Sequence, residues 1–351
     1  MELPDRSPRI LIVRLSAIGD AIQTMPVACA LRERFPDAFL AWAVESRAGA
    51  LLEGHAALDE LISLPRGWLK SPSEVWRLRR RLRQLRFDVA IDVQSLTKSA
   101  IVAWLSGAPR RIGFGNPGGR ELSKWFNRER VDPKAVHVVD RYLELLRPLG
   151  IESPTVQFRA PEREQAGRTA EAMIRRAGLE GGFAIINPGA GWPSKLWPTD
   201  RYAEVARHLG RRWQLPTSVV WAGEAERALA ERIATLGGQC VQIAPPTKLP
   251  ELAALSRRAR LFLGADTGPL HLAAAVGTPC VGLYGPWPAE RHGPYGPENI
   301  ALQVMVFEGT ARQRRTAPPI YMESITTEMV CAACDRVLER AGLQVAETAS
   351  L

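Results

Sequence analysis

Apolar residues in this chain cluster into short continuous runs, and between the runs apolar and polar positions alternate at helical spacing. Arg9 to Leu15 (RILIVRL), Ala38 to Val44 (AFLAWAV), Leu61 to Leu64 (LISL) and Phe87 to Val93 (FDVAIDV) have the unbroken hydrophobicity of strands covered on both faces, and Arg110 to Phe114 is a candidate fifth. Helices are predicted over Ala21 to Arg34, closed by Pro36, over Ser73 to Leu85 with Ser73 as N-cap, over Thr97 to Leu105, and over Ala135 to Leu149, ended by Gly150. Glu152 to Arg163, with Pro154 and Pro161, has the composition of a linker. The alternation then restarts. Strands are predicted at Phe183 to Asn187, Thr217 to Trp221, Cys240 to Ile243, the run ending at Leu263, and Cys280 to Tyr284. Helices are predicted at Pro198 to Arg211, Ala225 to Leu236, Leu249 to Ala259, Leu270 to Val276 and Ser324 to Ala341, before a tail from Gln344.

Strands alternating with helices predict an α/β protein built on doubly wound parallel sheets. The 351 residues suffice for two domains of ordinary size. The expected division is an N-terminal Rossmann-like domain over 1–155, a second over 156–325, and a C-terminal helix and tail over 326–351, with the helix packing back on the first domain. Two such domains facing a cleft would present the carboxyl ends of both sheets to it, where open α/β sheets bind ligands. The chemistry is then expected in the turns that follow strands: 16–20, 187–195 and 264–271.

Composition narrows the class. Apolar residues make up 46% and charged residues 24%, which fits a globular chain and not a disordered one. No run approaches the roughly 20 apolar residues of a membrane span, and Met1 to Arg9 lacks the apolar segment of a signal peptide. Five scattered cysteines, an odd number, suggest reduced thiols in the cytoplasm. The net charge of +9 favours acidic partners. Aromatic residues are only 7% and do not interleave with the basic ones as a stacking platform would require, so nucleic acid is not expected.

The most informative stretch runs from Leu263 to Ala275 (LGADTGPLHLAAA). A strand end, a turn of small residues and a helix start with Thr267 as N-cap and Pro269 behind it is how an α/β protein offers backbone N–H groups to a phosphate. Asp266 and His271 add a carboxylate and an imidazole, although Asp-Thr-Gly is also an ordinary capped turn. Asp20, just after the first strand, is either a general base or a first-turn carboxylate favoured by the helix dipole. Lys195 is the only cation of the Gly-rich loop Pro188 to Pro198, flanked by Trp192 and Trp197, and could pair with a diphosphate. Glu224 and Glu226 stand where a ribose hydroxyl could be bound, or simply in a first helical turn. Two motif matches carry less. The GxGxxG match at Gly113 to Gly118 is not preceded by a long apolar strand. Cys331 and Cys334 form a CxxC inside a predicted helix with no second ligand pair, so no metal is expected. The arginine-rich helix Arg77 to Arg86, with Trp68 and Trp76 nearby, is either a solvated face or a contact with a phosphorylated or membrane-bound partner.

Four stretches together carry a resemblance: RILIVRLSAIGDAIQTMP at the start, FDVAIDVQSLTKSA in the first half, KLWP in the loop of the second, and GADTGPLHLAAAVGTPCVGLYGP near the end. Over about residues 9 to 340 the chain resembles glycosyltransferase family 9, the ADP-heptose:lipopolysaccharide heptosyltransferases, with most likeness to the heptosyltransferase I branch. The resemblance implies a GT-B fold and inverting transfer without metal or other cofactor. It implies an ADP-heptose donor, an acidic lipopolysaccharide inner-core acceptor, and a cytoplasmic location compatible with peripheral contact with an anionic inner membrane. It implies Asp20 and Lys195 as catalytic groups. Lys195, Glu226, Asp266, Thr267, Gly268 and His271 would then bind the donor, and Lys98, Arg120 and Arg141 the acceptor. The chain departs from that branch at Ala190-Gly191, where a Thr pair can stand, and residues 306–320, with Arg312, Arg314 and Arg315, match no motif. A transferase or epimerase using another nucleotide sugar, or a silent sugar-nucleotide-binding protein, would share the fold.

Overall fold

The computed structural model describes residues 7–116, 119–120 and 122–345. The chain divides into two compact units, one ending at Pro161 and one beginning at Glu162. The boundary falls within the Pro-bearing segment 152–163, just beyond the expected position at 155.

The first unit holds six parallel strands: β1 (Arg9–Val13), β2 (Phe39–Glu45), β3 (Glu60–Leu64), β4 (Val89–Asp92), β5 (Arg110–Phe114) and β6 (Glu129–Val131), in the order β3-β2-β1-β4-β5-β6. The inner strands are the continuous apolar runs, and Ile10 to Val13, Leu40 to Val44 and Val89 to Ile91 are fully buried. With the right-handed crossovers that parallel sheets favour, this order puts helix Ile18–Arg34 on one face and helices Pro72–Gln84 and Thr97–Ser106 on the other. On that second face Leu78, Leu82, Val102 and Leu105 pack against Leu11, Val13, Ala41 and Ala43. The helix expected over 135–149 is shorter: Val138–Glu144, followed by a single turn at Arg147–Leu149. The GxGxxG match begins in β5, where a Cβ on Gly113 would lie 2.2 Å from Asn127 Nδ2. Its Pro117 and Gly118 lie outside the described residues.

The second unit repeats the design. Its strands β7 (Ala184–Asn187), β8 (Thr217–Val219), β9 (Val241–Ile243), β10 (Leu261–Ala265), β11 (Cys280–Leu283) and β12 (Ile300–Leu302) run parallel in the order β9-β8-β7-β10-β11-β12. Helix Glu164–Arg176 fills the stretch after the linker, where no element was expected. The C-terminal helix, Thr327–Arg340, corrects the expectation that it returns to the first domain. Its apolar stripe of Val330, Ala333, Cys334, Val337 and Leu338 closes the core of the second unit with Leu209, Val281 and Leu283. Asp335 pins it there, accepting hydrogen bonds from Trp213 Nε1 at 2.7 Å and His208 Nε2 at 2.8 Å. The five cysteines are free, and no cluster of three potential metal ligands occurs among the described residues. No described helix is long and apolar enough to cross a membrane.

Candidate active site

In each sheet the strand order reverses beside its first strand, between β1 and β4 and between β7 and β10. Open α/β sheets bind ligands at such switch points, outside the carboxyl ends of the strands. In both units the polar candidates gather there.

In the second unit β10 delivers Asp266 and the turn after β7 delivers Lys195. Lys195 Nζ lies 2.5 Å from Asp266 Oδ2 and 3.0 Å from the Asp266 carbonyl oxygen, and 4.2 Å from the centre of the Trp287 ring. His271 Nε2 meets the other carboxylate oxygen at 3.2 Å. Burial alone would raise the Asp266 carboxyl. The hydrogen bond from His271 and the charge of Lys195 overcome it and hold the carboxyl well below the ordinary carboxylate range. Thr267 occupies the N-cap of helix Gly268–Ala275, as expected, but its hydroxyl does not cap the first turn. It accepts a hydrogen bond from Asn187 Nδ2 at 3.2 Å, which ties the ends of β7 and β10 together. The first-turn N–H groups are left without a side-chain cap, beside Lys195. Glu226, in the first turn of helix Gly223–Gly237, accepts from the Ala222 N–H at 2.8 Å. Its carboxyl is pushed up by burial and abuts Gly189, where a Cβ would lie 2.2 Å from Glu226 Cδ. The bare glycine therefore leaves room for the Glu226 carboxyl in its present position. The two tryptophans beside Lys195 separate: Trp197 is buried and donates to the Ile325 carbonyl, whereas Trp192 is partly exposed under the Arg315 guanidinium, 4.4 Å above its ring. The segment without a recognised motif thus reaches the Lys195 loop.

In the first unit Asp20 stands in the first turn of helix Ile18–Arg34. One oxygen meets Arg14 Nη2 at 2.6 Å and the Ala17 N–H at 3.0 Å; the other is 3.5 Å from the Tyr142 hydroxyl. Arg14 is buried, donates to the Val93 carbonyl at 3.3 Å and lies 5.2 Å from the Tyr142 ring centre. Burial works against its charge, but Asp20, with Tyr142 and Asp92, outweighs burial and raises the guanidinium above its ordinary value. Asp92, at the end of β4, is pushed up to about 6 by burial, although Asn127, Ser99 and the Ser95 N–H donate to it. Beside Asp20, a cavity of about 750 Å³ is lined by Ser16, Ala17, Glu45, Arg66, Lys70 and Lys98. Lys98 pairs with Glu45 at 2.5 Å. Arg120 is exposed and hangs from the Ser95 carbonyl through its own N–H, three residues before Lys98. Arg141 reaches the Ala135 carbonyl at 3.3 Å and is the neighbour of Tyr142. The three cations thus come from the turns or helices after β4, β5 and β6.

Residues 75–318 match the family model described as glycosyltransferase family 9 (heptosyltransferase). The chain belongs to glycosyltransferase family 9. This transferase is 27% identical over 331 residues to the lipopolysaccharide core heptosyltransferase OpsX of Haemophilus influenzae, covering 91% of this chain and 90% of that one. It is 28% identical over 312 residues to lipopolysaccharide heptosyltransferase 1 of Salmonella typhimurium, covering 84% and 93%. Among solved structures, the family 9 glycosyl transferase of Veillonella parvula superposes with a TM-score of 0.84 at 24% identity over 97% of this chain and all of that one. The E. coli heptosyltransferase WaaC with ADP gives 0.76 at 24% identity over 94% and 99%. These superpositions establish the GT-B fold.

Sequence reasoning on the transferase missed Arg14, Tyr142, Asn187, Trp287 and Arg315. Arg14 left a signal: a lone cation inside a buried apolar run needs a charge partner nearby, and Asp20 is the first carboxylate after it. Asn187 opened the expected turn 187–195 and Arg315 stood in the unassigned segment 306–320, each without a role; Tyr142 and Trp287 left no signal, because their partners lie far away in sequence.

Proposed function

We propose that this transferase moves heptose from ADP-heptose to an acidic lipopolysaccharide inner-core acceptor, with inversion and without a metal. The names of its curated relatives supply the substrate class. The observation that carries the mechanism is Lys195, held by Asp266 beside the uncapped start of helix Gly268–Ala275. Asp20, oriented by Arg14 and the Ala17 N–H, takes the proton from the acceptor hydroxyl. The acceptor oxygen bonds to the anomeric carbon as the bond to the diphosphate breaks. The negative charge that develops on the leaving ADP is met by the remaining Nζ–H of Lys195 and by the helix start, which supply the positive charge a metal would otherwise bring. Glu226 binds the ribose, Thr267, Gly268 and His271 complete the donor loop, and Lys98, Arg120 and Arg141 bind the acidic acceptor, Lys98 from the wall of the 750 Å³ cavity that Arg66 and Lys70 also line. The proposed location is the cytoplasm, with the enzyme peripheral on the cytoplasmic face of the inner membrane.

A second reading, a different nucleotide sugar, is favoured by Ala190-Gly191 and by the Trp192–Arg315 stack on the same loop. Titration with ADP-heptose, ADP-glucose, UDP-glucose and GDP-mannose, followed by nucleotide release in the presence of deacylated Kdo-lipid A, separates the two. ADP-heptose binding with acceptor-dependent ADP release is expected, and preference for a uridine or guanosine donor discards heptose. Asp20→Ala should abolish transfer and leave ADP binding intact; loss of ADP binding in a folded variant removes the base assignment.

A further inference from the structure

The helix layer on one face of the first sheet carries an unusual surface. Helix Pro72–Gln84 has five arginines and one glutamate in 13 residues, and that Glu74 is already paired with Arg77. Leu78 and Leu82 point to the core, so Trp76 and Arg80 crown the opposite side, with the guanidinium 5.5 Å from the ring centre. Helix Thr97–Ser106 packs beside it, with Arg83 laid over Gly107 so closely that a Cβ there would be 2.3 Å from Nη1. Next comes the short helix Ser123–Phe126, where Trp104 meets Phe126 edge-on at 6.0 Å. Arg128 and Arg83 are close enough to Arg111 for their charges, after burial, to push its guanidinium down. From this one layer Trp76, Trp104, Leu122 and Trp125 are 60%, 44%, 56% and 85% exposed, and Trp125 is the most exposed large apolar side chain among the described residues.

A packed domain gains nothing by leaving three indoles in water, and solvated arginines alone would not need them. Tryptophan prefers the headgroup level of a bilayer, where its ring is half-buried and its N–H stays wet, and arginines at the same level pair with lipid phosphates. A protein partner would be expected to offer acidic groups in fixed positions; an anionic bilayer offers a continuous field that suits arginines spread over a layer of helices. We infer that this face, crowned by Trp76, Trp104 and Trp125 among the arginines of helix Pro72–Gln84, docks on an anionic lipid bilayer. The inference goes beyond the transfer reaction and holds whichever sugar is moved.

The test is co-sedimentation of the full chain with phosphatidylglycerol/phosphatidylcholine vesicles and with pure phosphatidylcholine vesicles, near 0.15 M salt. Binding to the anionic vesicles only, weakening as salt rises, is expected. Arg79→Gln/Arg80→Gln/Arg86→Gln should weaken it about a hundredfold, at about fivefold for each cation near the surface. Trp76→Ser/Trp125→Ser should weaken it at least tenfold. Both variants should keep the wild-type melting temperature and the wild-type rate on a soluble deacylated acceptor. No binding by the wild type, equal binding to neutral vesicles, or variants that bind as the wild type does overturns the inference. So does a concentration-dependent dimer that Trp125→Ser dissolves, since the face would then meet a second copy. Vesicle binding without transfer to the soluble acceptor refutes the proposed reaction and leaves the docking face standing; transfer without vesicle binding does the reverse.

Discussion

Lys195→Met takes the cation from a pair whose side chains are 14% and 10% exposed. Asp266 keeps His271 at 3.2 Å and loses the partner at 2.5 Å. Removing one member of a buried ion pair costs about 3–5 kcal/mol, and because His271 remains the lower end applies, about 3 kcal/mol. For a unit of roughly 150–250 residues each kcal/mol moves Tm by about 2–4 °C, so a fall of about 6–12 °C is expected at pH 7. The pH dependence has a definite sign. The Asp266 carboxyl is held below its unfolded value, so the pair's contribution is complete above about pH 4 and disappears as the pH falls through the folded value. In the variant the orphaned carboxylate protonates at higher pH, which relieves its own cost. The gap between the two proteins is therefore widest near neutrality and narrows in acid. Adding Asp266→Asn removes the unpaired charge and should restore most of the lost Tm. Activity should not return with it: a Lys195 that binds the leaving diphosphate is worth about 10²–10³ in kcat, and the double variant still lacks it. Scanning calorimetry at pH 7 and pH 4, with ADP release at saturating donor, reads both quantities. A single variant melting within about 1 °C of the wild type, or a double variant less stable than the single, refutes the dependence of Asp266 on Lys195.

Two further substitutions probe the neighbouring turns. Gly189→Ala places a methyl group where the Glu226 carboxyl now lies, forcing that side chain outward and breaking its bond to the Ala222 N–H. ADP affinity should fall about tenfold with little change in Tm, and an unchanged affinity by titration would remove Glu226 from the ribose. Asp92→Asn addresses a carboxyl that burial pushes up to about 6. Its folded value lies above its unfolded one, so the wild type loses stability as pH rises through about 4–6. The uncharged asparagine does not, and Asn127 Oδ1, which has no hydrogen-bond partner, can accept from the new amide. Melting curves should favour the variant by up to about 2 kcal/mol at pH 8 and not at pH 4, and an equal difference at both pH values would show that the charge is immaterial.

The inner strands were legible because both faces of each are covered, which forces continuous apolar runs. β6 and β12 were not: β6 (ERV) carries two charges in three residues, and β12 (IAL) is a three-residue piece following the Gly- and Pro-rich stretch 293–297. Helix Glu164–Arg176 escaped for a different reason: most of its buried face is Ala166, Gly167 and Ala170, too small to register as a hydrophobic stripe. The stripe on the C-terminal helix was visible, but which sheet receives a stripe depends on tertiary partners such as Trp213 and His208. At the site, Asp20, Lys195 and Asp266 could be picked out individually as polar residues after strands. Their pairings could not: Lys195 meets Asp266 across 71 residues and Tyr142 meets Asp20 across 122, distances over which spacing carries no information.

The two units place opposite charges at the same topological position. β7 holds the place in its sheet that β1 holds in the other, and the segment after each carries the group proposed to act: Asp20 after β1, Lys195 after β7. The manner of support differs in a way that suits each task. Arg14 and Asp20 lie six residues apart in one turn, so this pair forms as the helix start forms, and Asp20 remains 34% exposed. A base must reach an incoming hydroxyl and give up its proton afterwards, and both require solvent access. Lys195 and Asp266 follow different strands, so this pair exists only when β7 and β10 are in register, and it is 14% and 10% exposed. A cation that meets charge developing on a leaving group works best when nothing moves at that moment. The sheet itself, through the register of Gly264 with Asn187, fixes where Lys195 can be.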